Sequence, residues 1–96
     1  MTLVNGQPPD GTVWLDDGHN HGYVPVTAHD RDEVVAINEF HRAGDGWCYG
    51  FVAFRSYSPE HGWDVLSMDP LTLSPSLLCR ACGNHGFIRD GVWVAA

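Results

Sequence analysis

The chain contains no lysine, and its five arginines stand against twelve aspartates and glutamates, which gives a formal net charge of −7. Proteins that bind DNA or RNA obtain most of their affinity from clustered cations that neutralise phosphates. Direct nucleic-acid binding is therefore not expected. The acidic residues are spread along the sequence, which favours a solubilising role over a single charged face.

Long apolar runs are also missing, since no stretch has the roughly 20 consecutive apolar residues that a membrane-spanning helix needs. The first residues, Met1 to Gly6, lack the basic and apolar regions of a secretory signal peptide. Only three cysteines are present, and two of them are three positions apart, which disfavours a secreted disulfide framework. We expect a cytoplasmic protein in which the cysteines serve metal or thiol chemistry.

Signatures of common catalytic sites are absent as well: there is no G-x-S-x-G elbow, no H-E-x-x-H helix and no lysine-containing phosphate loop. One pair, His19 and His21, lies beside Asp16 and Asp17. Alternate residues of an extended chain point the same way, so this pair could hold a catalytic metal that activates water. The same composition is typical of a polar turn. We favour a non-enzymatic protein, and a small metal-dependent hydrolase that uses His19 and His21 is the alternative.

With 96 residues, the chain is long enough for one domain and one small core. We expect a single domain over residues 1–96, with a loop-rich N-terminal segment at 1–22 and a knuckle hairpin at 70–96. Domains of this size usually need a staple in addition to their core, and a metal ion is the obvious candidate here.

Residue patterning predicts a mainly β to α+β fold that is built from hairpins. Residues 47–55 are dense in aromatic and β-branched side chains and predict a central strand covered on both faces. Residues 30–43 allow a capped helix or a strand that turns at 43–46, and we favour the strand. Pro25 cannot donate to a ladder, so its segment is predicted to be an edge strand. By composition, three aromatic residues are expected in the core: Trp47, Phe51 and Phe54.

The C-terminal residues 77–94 predict a strand, a cysteine-containing knuckle, a second strand, a tight Asp90-Gly91 turn and a final strand. In the knuckle, the C-x-x-C spacing lets the thiolates of Cys79 and Cys82 bind one ion, and Gly83 lets the chain fold back closely. We therefore predict a structural zinc site.

A tetrahedral zinc site needs further ligands beyond the cysteine pair. His85 follows the knuckle closely, and we predict His61, in the turn before the next strand, as the remote ligand. Cys48 and His41 are the alternatives. Cys48 stands inside an apolar strand, where a lone cysteine is more often a small buried side chain than a ligand.

The C-terminal quarter resembles a family of small uncharacterised proteins of phages and prophages. The resemblance is carried by Ser74-Pro75-Ser76, by Cys82 and His85, and by the hairpin residues 87–91, which follow a pattern of two hydrophobic residues, arginine, any residue and glycine. It implies a small β-rich, zinc-ribbon-like domain with Cys82 and His85 as ligands. Many relatives carry a further cysteine cluster upstream, where this chain has Cys79 and scattered histidines instead.

The resulting hypothesis is a phage-encoded, zinc-stabilised interaction module that acts on a host bacterial or phage protein through an aromatic-rich surface. Besides the hydrolase that would use His19 and His21, a virion or assembly component is a further alternative. No nucleic-acid or membrane partner is expected.

Overall fold

The computed structural model describes residues 6–16 and 18–96, and about 56% of these residues are in β-strands or isolated β-bridges. The described residues form no helix, which confirms the mainly β prediction. Their strands, in chain order, are β1 (Val13–Trp14), β2 (His21–Thr27), β3 (Val34–Ala43), β4 (Gly46–Ala53), β5 (Asp64–Met68), β6 (Leu71–Ser74), β7 (Leu77–Leu78), β8 (His85–Arg89) and β9 (Val92–Ala95). Accordingly, no helix in this part of the chain could cross a membrane.

The strands form three antiparallel sheets, with the orders β1-β2-β3-β4, β5-β6 and β7-β8-β9. The core lies where the first sheet faces strands of the other two, because it draws side chains from all three. Its buried members are Leu15, Tyr23, Ile37, Val52, Phe54, Leu71, Leu73, Leu77 and Ile88.

The long β3–β4 hairpin resolves the ambiguity over residues 30–43 in favour of the strand. β-Branched residues such as Val34, Val35 and Ile37 favour extended backbone. A two-residue turn, Gly44-Asp45, then joins Ala43 to Gly46, and Gly44 takes a positive φ of 61° while Asp45 does not. Glycine first with a positive φ is typical of the type II′ turn, which suits the twist of a hairpin.

Two predictions concern the position of a strand within its sheet, one for the segment of Pro25 and one for residues 47–55. The edge-strand prediction for Pro25 is wrong for β2 as a whole, which lies between β1 and β3. Beside Pro25 itself, however, the ladder is open on one side, because β1 pairs only with Gly22 and Tyr23, and this suits a residue without an N–H. The prediction that residues 47–55 form a covered central strand is wrong, because β4 is the edge of its sheet.

Of the three aromatic residues predicted for the core, one is buried and two are not. Phe54 is buried at 2% exposure, whereas Phe51 is 55% exposed and Trp47 is half-buried. The apolar content of residues 47–55 predicts a strand but not how far it is buried. Composition alone does not distinguish a core strand from an edge strand with exposed apolar side chains.

Candidate metal centre

Half of the candidate site is formed by the β3–β4 hairpin. His41 and Cys48 are direct cross-strand partners in its register, so their side chains lie on the same face of the sheet. His41 is almost fully buried, at 4% exposure, and Cys48 is half-buried. The turn at Gly44-Asp45 fixes this pairing, because a shift of one residue would move a side chain to the opposite face.

The other half is the knuckle between β7 and β8. The amide of Gly83 donates to the carbonyl of Cys79 at 2.8 Å, and the amide of Cys79 donates to the carbonyl of Asn84 at 2.8 Å. Gly83 has a φ of 80°, a left-handed conformation that favours glycine. These bonds close a tight loop that presents Cys79 and Cys82 on one side.

The two halves meet, because one ligand atom from each of His41, Cys48, Cys79 and Cys82 lies within 4.8 Å of all the others. The imidazole Nε2 of His41 is 3.2 Å from the Sγ of Cys82, and the three cysteines are free thiols. Tetrahedral zinc with these ligands separates the donor atoms by roughly 3.7 Å, given its usual bond lengths. The cluster therefore fits a metal ion after changes of roughly 1 Å or less in the donor separations.

A carboxylate orients the histidine of this cluster. The Nδ1–H of His41 donates to both carboxylate oxygens of Glu39, at 2.9 Å and 3.1 Å. This leaves the unprotonated lone pair of Nε2 available toward Cys82 when the ring is neutral. Carboxylates that fix the tautomer and ring orientation of a ligating histidine in this way are a common feature of metal sites.

The metal-free cluster has strongly perturbed acidities. Hydrogen bonding to Glu39 raises the pKa of His41 to about 9, against an opposing effect of burial. Burial, together with the neighbouring thiols of Cys79 and Cys82, raises the pKa of Cys48 to about 11. Burial acts in the same direction on Cys79, but amide hydrogen bonds from Cys82 and Ala81 outweigh it and lower its pKa to about 7. At neutral pH Cys79 is therefore available to a metal as a thiolate more readily than Cys48.

The structure places the other two predicted ligands elsewhere. The Nε2 of His85 lies 2.9 Å from the Oγ of Ser76, and the side chain of His61 is 85% exposed beside Glu60. In their place the two alternatives, His41 and Cys48, complete the set with Cys79 and Cys82. His61 belongs to a tight turn that faces solvent, so its closeness in sequence to the knuckle does not bring it near.

The predicted pair His19 and His21 does not form a second cluster. His19 stacks on Trp14 with 4.5 Å between ring centroids, whereas His21 stacks on Trp93 at 4.2 Å. His21 also has Asp16 3.3 Å from its Nδ1. Asp17 lies outside the described residues. Within the described residues, the only group of three or more potential ligands is the one that contains His41.

No protein-family model, curated protein or solved structure matches this chain. The chemistry of the cluster must therefore be inferred from its own atoms. Four protein donors fill a tetrahedral coordination shell, and structural zinc sites are closed in this way. Catalytic sites instead keep a position open for water or substrate.

Proposed function

We propose that His41, Cys48, Cys79 and Cys82 bind one structural zinc ion, and that the chain is a non-enzymatic protein-interaction module. The convergence of four donor atoms within 4.8 Å supports the closed site. Three thiolates and one imidazole form a donor set that structural zinc commonly uses, and soft sulfur ligands disfavour calcium and magnesium.

The ion would reinforce the knuckle, whose flanking strands pair only briefly. β7 and β8 pair through only two residue pairs, Leu77 with Gly86 and Leu78 with His85. A bond from the loop between them to His41 and Cys48 would tie this small sheet to the first sheet. Because such a site is absent in the unfolded chain, its binding free energy contributes directly to folding.

Two observations favour binding over catalysis. A closed coordination shell leaves no place for an activated water, and His19 and His21, the residues of the hydrolase alternative, stack on different tryptophans. Exposed apolar side chains instead lie on the strands that flank the ligands: Tyr49 is 48%, Phe51 55% and Leu78 56% exposed. Tyrosine and phenylalanine are enriched at protein interfaces. A phage origin and a host or phage partner remain predictions from the resemblance.

Cobalt substitution tests this function. The Co²⁺ form is expected to show the intense visible absorption of a tetrahedral thiolate site, and added azide should leave the spectrum unchanged because no position is open. Cys48→Ser, which removes one thiolate, is the open-site control in which azide should change the spectrum. An azide response of the unmodified protein would contradict a closed, structural centre.

A further inference from the structure

A groove of about 330 Å³ runs beside the proposed metal centre, between β4 and the β7 strand with its knuckle. Aromatic and aliphatic residues make up most of its lining, including Trp63, Leu78 and Trp93, whereas Phe51 borders it from the edge of β4 with its side chain on the opposite face of the sheet. The carboxylate of Glu39 also lines it. The groove is thus an apolar channel with a buried acid.

The groove exists because β4 has glycine at position 50. Gly50 pairs with Glu39 across the hairpin, and a Cβ placed on Gly50 would meet no atom within 4 Å. A side chain at this position would project into open space on the same face as Glu39. The fold therefore leaves a gap next to Glu39 that a group from outside can fill.

In the part of the chain that the structure describes, no strand pairs with the edge of β4 above this gap. Since Ala43 and Gly46 flank a two-residue turn and form a hydrogen-bonded pair, alternation along the ladder directs the N–H and C=O groups of Tyr49 and Phe51 outward. The same alternation points the carbonyl of Ala53 outward, and there the chain pairs with itself, because the amide of Trp63 donates to that carbonyl at 2.9 Å. At Ala53 the edge of β4 is thus hydrogen-bonded to an extended segment of the chain, whereas at Tyr49 and Phe51 its backbone groups are available to another strand.

Charge distinguishes this edge from ordinary ones. β4 contains no charged residue, although exposed edge strands usually carry charges that prevent pairing with other chains. Glu39 has a side-chain exposure of 7%, and His41 is its one hydrogen-bond partner within residues 6–16 and 18–96, so its carboxylate has unused acceptor capacity. Arg80 lines the groove too, but it is exposed, and water and salt screen its charge.

We propose that an extended segment of a partner protein adds to the β4 edge at Tyr49–Phe51 and places a lysine or arginine side chain over Gly50 toward Glu39. This inference rests on the proposed function and names the chemistry of the partner. A residue opposite Gly50 on an added strand lies two strand spacings, roughly 9.5 Å, from the backbone of Glu39. Long basic side chains span that gap, and their apolar stems pack well against tryptophan.

Charge also argues against a second copy of this chain as the occupant. A second β4 strand, being uncharged, would bring no cation to Glu39 and would leave the carboxylate with His41 alone. The chain as a whole carries a net charge of −7, which favours a basic segment over an acidic one.

The test is a selection of random octapeptides, displayed on a carrier, against the zinc-loaded protein. Sequences that bind are expected to share lysine or arginine at one position, with apolar residues on either side of it. The best peptide is then synthesised and titrated by calorimetry against three proteins: the unmodified chain, Gly50→Val, which fills the gap, and Gly46→Val on the same strand and face but outside the groove lining. We expect Gly50→Val to weaken binding at least tenfold and Gly46→Val to change it less than twofold.

Replacing the basic residue of the peptide by norleucine should weaken binding at least tenfold, because the apolar stem remains and the charge is lost. The inference is overturned if no peptide is enriched, if enriched peptides lack a shared basic residue, if Gly50→Val binds normally, or if β4 proves to be the interface of a dimer. Metal analysis and the azide experiment on the same preparation distinguish this failure from failure of the closed zinc centre.

Discussion

His41 and Cys48 face each other across the β3–β4 hairpin, and their pairing gives the metal cluster its second pair of donors. The first pair, Cys79 and Cys82, comes from the loop between β7 and β8, and the cluster thus joins residues that are more than 30 positions apart in the chain. A centre of this kind makes folding of the hairpin and of the knuckle depend on each other.

Loss of a ligand should lower metal content and stability together. We expect Cys48→Ser and Cys82→Ser to bind less than one zinc per chain and to melt on the order of 10 °C lower, because metal binding contributes free energy only to the folded state. Metal analysis and thermal unfolding check this. His61→Ala and His85→Ala are the matched controls and should keep both the zinc and the melting temperature. Loss of zinc in either histidine variant would restore that residue as a ligand.

The carboxylate of Glu39, which accepts from Nδ1 of His41, should strengthen metal binding. Glu39→Gln keeps the size of the side chain but removes the charge that orients and polarises His41, and such changes typically cost about 10-fold to 100-fold in affinity. Competition with a chromophoric chelator measures the effect. Glu33→Gln is the control, because Glu33 is exposed and pairs with Arg31. Equal affinities for the two variants would mean that Glu39 plays no part in the centre.

Metal binding should release protons and strengthen as the pH rises. In the metal-free chain the pKa of His41 is about 9 and that of Cys48 is about 11, so both groups carry a proton at neutral pH. Zinc binds neutral imidazole and thiolate, so it must displace these two protons. Raising the pH from about 6 to about 8 leaves both groups mostly protonated but lowers the proton concentration that competes with zinc, and so tightens binding. Calorimetry in buffers of different ionisation enthalpy counts the protons, and an affinity that is constant or falls over this range would refute the prediction.

The same substitution, glycine to alanine, should affect the free energy of unfolding very differently at Gly62 and at Gly50. A Cβ on Gly62 would lie 2.5 Å from the carbonyl carbon of Phe54, whereas one on Gly50 meets nothing within 4 Å. We expect Gly62→Ala to lower the free energy of unfolding by about 1–3 kcal/mol through overpacking, and Gly50→Ala to change it by less than about 0.5 kcal/mol. Urea unfolding of the zinc-loaded proteins measures both. A large loss for Gly50→Ala would show that the space above β4 is filled.

Local signals in the sequence predicted much of this structure. The Asp90-Gly91 turn predicted the β8–β9 hairpin, and both residues have positive φ values, 52° and 75°, as a type I′ turn requires. The C-x-x-C spacing predicted two members of the cluster. Each of these features depends on a few adjacent residues, so no knowledge of the rest of the fold was needed.

The other two donors, His41 and Cys48, are brought together by the strand register and not by a local spacing motif. Once the turn is placed at residues 43–46, counting outward pairs His41 with Cys48, so the signal was present. His61 lies in the turn before the strand that leads toward the knuckle, but this turn is closed by a 2.7 Å bond from the Gly62 amide to the Ser58 carbonyl and faces solvent. Closeness in sequence says little about closeness across sheets.

X-ray absorption at the zinc edge tests the central claim most directly, because it counts sulfur and nitrogen neighbours of the bound ion. The centre described here predicts one zinc per chain with three sulfur neighbours at about 2.3 Å and one nitrogen neighbour at about 2.0 Å. Two sulfur and two nitrogen neighbours, as Cys79, Cys82, His85 and His61 would provide, would contradict it, and so would a protein that folds fully without metal.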